Sequence, residues 1–303
     1  MYNNRTAIIL LLFSIITSGI AQGIIIIAIP WYFTETLQQN SLFALWYAIL
    51  TLFGLFWGLY SGVIIDKINR KKILTYINFT SALVFIFLWL ICTFNNYNHP
   101  FIFFIAFSVC SLYYIIFFPN LYALLQELVE PKNYVKINSI IEIQSQIIHI
   151  IAAISCGILL SGSNVFFSYF KLNNNTITSW SIQDIFWLTA ILYLVTVILL
   201  HPIKYVKKNT NNLPVLKDVF NEVKMAFQFL KNKKEILIYG ICSQIIFAFL
   251  IVELFTLLPL FVQKCLNETI VIFSLADVTY GLGAIIAGLI TFFLLKFIAK
   301  IDL

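Results

Sequence analysis

Eight runs of about 20 predominantly apolar residues follow one another along this chain, and each is long enough to cross the hydrocarbon core of a bilayer as a helix. They fall at approximately 6 to 33, 42 to 65, 73 to 94, 101 to 126, 138 to 162, 182 to 201, 235 to 262 and 269 to 297. Backbone N–H and C=O groups facing lipid must bond internally, so a span is either a helix or a strand of a closed barrel. None of the runs alternates polar with apolar residues as a barrel strand does. The expected fold class is therefore an all-α integral membrane protein with about eight transmembrane helices.

Composition agrees. Only 11% of the 303 residues are charged, against about 25% in soluble domains, and 61% are apolar. The net charge of +6 does not point to a nucleic-acid partner, because the lysines lie in short loops beside apolar runs and not on one soluble face. They read as topology signals. With the N-terminus in the cytoplasm, 17 of the 19 lysines and arginines fall on the inner side, leaving only Lys171 and Lys264 outside. The run from Thr6 to Phe33 exceeds the hydrophobic region of a signal peptide and has no small-residue cleavage site after it, so it is read as a retained helix. Pro30 is expected to kink or end that helix.

Between the second and third runs stands the segment Gly62-x-x-x-Asp66-Lys67-x-x-Arg70-Lys71-Lys72. Five clustered charges cannot lie in hydrocarbon, where each is disfavoured by about 2.5 to 3.5 kcal/mol at a helix centre, so this is a loop at a water interface. The pattern resembles the loop after the second helix in the major facilitator superfamily of secondary transporters. Asn69 stands where that family has glycine, a turn position with φ above zero that asparagine tolerates. A second stretch, Phe118-Pro119, Leu128-Val129-Glu130-Pro131 and Asn138-Ser139, resembles the cytoplasmic corner between helices four and five of the macrolide-efflux and siderophore-exporter branch.

The resemblance implies a major facilitator type bundle built from two six-helix halves. Residues 1–201 would be the N-terminal half, 202–234 a cytoplasmic linker, and 235–303 the first two helices of the C-terminal half. Twelve helices are expected in the family, so the chain is expected to be truncated after the eighth. Gly62, Asp66, Lys67, Arg70, Lys71 and Lys72 would form a cytoplasmic gate, with Asp66 acting across to an eleventh helix that this sequence does not contain. In the linker, Pro214 and the apolar spacing of Leu216, Val219, Phe220, Val223, Phe227 and Leu230 predict an amphipathic helix on the cytoplasmic face. The function implied is alternating-access movement of a small molecule, outward by branch resemblance, across a bacterial inner membrane. A non-transporting remnant and a nutrient uptake carrier are the alternatives.

No phosphate-binding G-x-x-x-x-G-K-[ST], zinc-binding H-E-x-x-H or G-x-S-x-G motif occurs, and the five cysteines form no C-x-x-C pair. No enzymatic apparatus, cofactor or metal site is expected. The partners expected are lipid, a small-molecule substrate and protons, with the chain monomeric. Ionisable and amide groups inside the spans become the candidate substrate or proton-coupling residues. On the fifth run Glu142, Gln146 and His149 share one face. His149 is read either as a proton relay or as a buried neutral histidine bonded to a neighbouring helix, and Glu142 as cavity-facing or interfacial. Glu253 in the seventh run and Asp277 in the eighth must be protonated, paired or exposed to a cavity. Gln22, with Ser14 and Ser18 at four-residue steps, either lines the same cavity or bonds adjacent helices. The fourth run lacks an arginine and the fifth lacks a Gly-Pro pair, so proton antiport has no motif behind it.

Overall fold

The computed structural model describes residues 4–95, 99–171, 177–203, 205, 220, 224–225 and 228–301. The helices are α1 (Asn4–Glu35), α2 (Asn40–Lys67), α3 (Arg70–Asn95), α4 (Pro100–Leu128), α5 (Tyr134–Ser161), a short α6 (Ser163–Ser168), α7 (Ile182–Leu200), α8 (Lys234–Val252), α9 (Leu258–Lys264) and α10 (Ile270–Ile301). A single 3-10 turn, Pro131–Asn133, precedes α5. No strand occurs among the described residues.

Among the described residues, seven helices are long and apolar enough to cross a membrane: α1 to α5, α7 and α10. The expected seventh span, 235 to 262, is instead a composite. α8 stops at Val252, a π turn occupies Glu253–Leu257, and α9 resumes at Leu258. Pro259 supplies the cause, because it has no N–H to donate to Phe255 and its ring crowds that carbonyl, and widening the turn relieves both. Pro30, by contrast, does not end α1, which continues for five more residues to Glu35. The amphipathic linker helix expected from Pro214 to Leu230 lies mostly outside the described residues.

Helix pairing follows from where small residues fall. α7 packs along both α1 and α3, while α5 lies between α1 and α10. The α1–α5 contact depends on Gly23, where an added Cβ would lie 2.6 Å from Cβ of Ala152. The α5–α10 contact depends on Gly281, where a Cβ would lie 2.8 Å from Ile150. Without an aqueous driving force, such close backbone approach and the dispersion contacts it permits are what hold membrane helices together. The core between α1, α3, α4 and α7 is aromatic, with Phe33 stacked on Phe104 at 4.7 Å and Phe85 on Tyr193 at 6.0 Å. Buried hydroxyls bond across it, as in Thr17 to Thr196 at 2.7 Å and Tyr113 to Asn78 at 3.2 Å.

The outer surface is apolar. Phe56, Phe94 and Ile198 project from the bundle with two thirds or more of their area exposed, an arrangement suited to lipid and not to water.

Candidate gate and intramembrane polar pair

The charged corner is assembled from three helix ends. Asn69 precedes α3, and its side-chain oxygen accepts the Lys72 N–H at 3.1 Å, as an N-cap does. This corrects the expectation for Asn69. The positive-φ residues among those described are Gln38, Lys171, Asn267 and Gly162, so the family's glycine is replaced here by a capping side chain and not by a left-handed turn.

Arg70 begins α3 and turns toward α4. Its Nη1 donates to the Ala123 carbonyl at 2.8 Å and lies 2.5 Å from Oε1 of Glu127, while Nη2 is 3.9 Å from Asp66. Asn120 of α4 donates to the Arg70 carbonyl at 2.9 Å. The phenol of Tyr205, in the segment after α7, donates to the other oxygen of Glu127. Burial first, and then this bond to a carboxylate, push the Tyr205 phenol above its ordinary pKa. Lys71 Nζ donates to the His201 carbonyl at 2.8 Å, so the corner also holds the end of α7. Lys67 and Lys72 complete the charged set.

Glu127 and Tyr205 were not among the residues singled out in the sequence. The readable signal for Glu127 was an acid at the end of the fourth run, on the side of the membrane that carries the Asp66 to Lys72 cations. Gly62, one turn before Asp66 on α2, has no atom within 4 Å of where a Cβ would be.

Within the spans, the structure joins two candidates that are 128 positions apart. His149 Nε2 lies 3.0 Å from Oδ2 of Asp277, with the Asp277 side chain 7% exposed and that of His149 30%. Neither atom has another polar partner among the described residues. The Tyr280 ring sits edge-on to the imidazole at 6.1 Å. The other candidates stand apart from this pair. Glu142 is exposed nearer the N-terminal end of α5 and accepts a hydrogen bond from Tyr122 of α4. Gln146, half-buried, lies between Glu142 and His149. Gln22 is 6% exposed and donates to the Cys110 carbonyl at 3.1 Å, while Ser14 and Ser18 donate to carbonyls within α1. Glu253 is exposed and opens the π turn.

Apolar helices long enough to span a bilayer, ends marked by clustered charge, and a histidine–carboxylate pair at membrane depth together define a multi-pass membrane protein with polar machinery in its interior. The sequence model for the Major Facilitator Superfamily matches residues 11–302, nearly the whole chain, and the protein belongs to that superfamily of membrane transporters. No curated protein and no solved structure matches it.

Proposed function

We propose that this protein is a secondary active transporter that moves a small molecule out of the cytoplasm across the bacterial inner membrane, by alternating access between residues 1–201 and 235–303. The observation that carries this reading is an asymmetry of contact. The side chains joining the two parts run from one end of the bundle to about its middle: Tyr169 donates to Glu268 at 2.7 Å, Trp31 stacks on Phe273 at 5.7 Å, Phe255 packs against Tyr47 and Phe107, and His149 meets Asp277 at 3.0 Å. Toward the other end Ile286, Leu289 and Ile290 of α10 are exposed, and open space surrounds Gly62.

With the N-terminus cytoplasmic, as the lysine and arginine distribution favours, the joined end is the outer one. A carrier closed outside and parted inside has this form. The charged corner then belongs to the parted side, where Gly62, Asp66, Lys67, Arg70, Lys71 and Lys72 act as the gate that closes in the opposite state. Outward direction is supported by the branch resemblance of the α4–α5 corner.

Accumulation of labelled amphipathic compounds in cells making the protein tests the reading. Lower accumulation than in control cells, reversed by an uncoupler, is expected. Uncoupler-sensitive accumulation above control would mean uptake, and no difference for any compound would remove the carrier reading. Asp66→Asn is expected to impair this movement while leaving membrane insertion intact, and unchanged efflux would reduce the corner to a topology signal.

A further inference from the structure

The α5–α10 contact is close-packed at two glycines, one on each helix. Gly281 admits Ile150, and Gly157 lies where a Cβ would be 3.0 Å from the Ser274 hydroxyl. On α10 Asp277 falls between these close approaches, and it meets His149 in the one ion pair among the described residues that links 1–201 to 235–303. Asp277 lies seven residues into α10, roughly 10 Å below its outer end at 1.5 Å per residue. No lysine or arginine pairs with it among the described residues.

An unpaired carboxylate at that depth is costly, and the pair is neutral when it holds one proton, whether on the imidazole or on the carboxyl. With that proton removed, a net negative charge remains between two packed helices, and separation of the helices toward water relieves it. We propose that His149 and Asp277 together form a single proton-binding site that latches the two parts of the transporter in the outer-closed conformation. The proposal rests on the alternating-access reading and names the ion that biases it.

The surroundings fit a site of this kind. The titratable groups that interact with the pair or with its neighbours are Tyr280 on α10, Cys156 and Glu142 on α5, and Tyr114 on α4. None of these is cationic, so nothing nearby replaces the proton. From α1 the titratable side chains described are Tyr32 and Glu35, the latter held by the Trp31 indole at 2.7 Å. From the loop before α10, Glu268 is engaged by Tyr169. His149 keeps partial exposure, and Gln146 and Glu142 continue from it along the same face of α5 toward the inner end. That face gives the proton a route to the cytoplasm while the outer side stays closed. Proton capture from outside then favours the inward-facing state, and proton release inside permits the return, which is the order an antiporter requires.

The test uses the full 303-residue chain in lipid nanodiscs with a spin label on native Cys265, a second on Lys171→Cys, and Cys242→Ser to remove the other exposed thiol. The outer-loop distance is expected to lengthen as pH rises from about 5.5 to about 8.5, the range around an ordinary histidine. His149→Gln and Asp277→Asn, each checked for helicity and monodispersity, are expected to lose the pH response. A response that persists in both folded variants overturns the proposal. If neither variant folds, ¹⁵N-histidine spectra of the wild type decide, since only three histidines are present. The His149 resonance must titrate with the same midpoint as the distance, and titration of either without the other overturns the latch. Transport is not needed for this readout. A flat pH response in protein that still moves substrate counts against the latch alone, and an intact latch in protein that moves nothing counts against the carrier reading alone.

Discussion

Arg70 and Glu127 meet at 2.5 Å across the charged corner, and the same carboxylate receives the phenol of Tyr205 from the segment after α7. One acid on α4 therefore ties together the start of α3 and the first residues after α7. The pair is unequal in its surroundings, because the Arg70 side chain is 16% exposed and that of Glu127 is 36%.

Replacing Glu127 by Gln removes the charge that faces Arg70 and leaves the guanidinium with the Ala123 carbonyl and the more distant Asp66. Charge-assisted hydrogen bonds contribute about 1.5 to 3 kcal/mol when sheltered, and the exposure of Glu127 reduces this to about 1 kcal/mol. Glu127→Gln is expected to unfold at lower temperature than the wild type in detergent, as followed by intrinsic fluorescence. Identical melting curves would mean the contact contributes nothing to stability.

Tyr205 gives the corner a pH signature with a definite sign. A phenol whose pKa is raised on folding keeps its proton to higher pH in the native state, so its contribution is complete below the unfolded value of about 10 and is lost as pH rises through the folded value. The stability difference between wild type and Tyr205→Phe is therefore expected to stay constant from about pH 6 to about pH 9 and to shrink only in stronger alkali. Denaturation at several pH values checks this, and a difference that changes across neutrality would contradict it.

How much of this was readable beforehand depended on the kind of signal. Helix existence rests on apolar length, a property of consecutive residues, so α1 to α5, α7 and α10 could be drawn from the chain alone. The π turn at Glu253 was not drawn, because Pro259 permits a kink, a break or a widened turn, and the choice depends on what Phe255 packs against. The candidate site divided in the same way. His149 and Asp277 were each conspicuous as ionisable groups in apolar runs, but their meeting depends on the tertiary placement of α5 against α10, which no local pattern encodes. Asn69 shows the opposite failure. A family glycine led to an expected backbone conformation, whereas the residue present does its work with its side chain.

Close packing at Gly23 yields a contrast with Gly283. A methyl added at Gly23 meets Ala152 Cβ, an atom with no rotamer to move, so α1 and α5 must separate, at about 1 to 3 kcal/mol for an overpacked site. Nothing lies within 4 Å of the corresponding point at Gly283, and alanine there gains up to about 1 kcal/mol of helix propensity. Gly23→Ala is expected to lower thermal stability in detergent and Gly283→Ala to leave it unchanged or raise it. Equal stabilities for the two variants would mean that the α1–α5 contact yields more readily than its geometry implies.

Gly62 poses a different question, since it sits inside α2 with open space around it. A glycine in a helix interior is about 0.5 to 1 kcal/mol less favourable than alanine, and in the conformation described here no neighbour requires it. On the proposed alternating access, the requirement lies in the opposite state: closing the gate would bring a helix to rest on the face that Gly62 leaves bare, one turn from Asp66. Gly62→Leu is then expected to match the wild type in insertion and melting temperature but to lose most of its transport of labelled compounds, with the protein held in its inward-open form. Cysteine accessibility supplies the second measurement, because Leu59→Cys, at an exposed position one turn before Gly62 on the same face of α2, should remain reactive from the inner side in the leucine variant under conditions where the wild type becomes protected. Full transport by Gly62→Leu would mean that no helix docks there, and that the charged corner closes by some other surface.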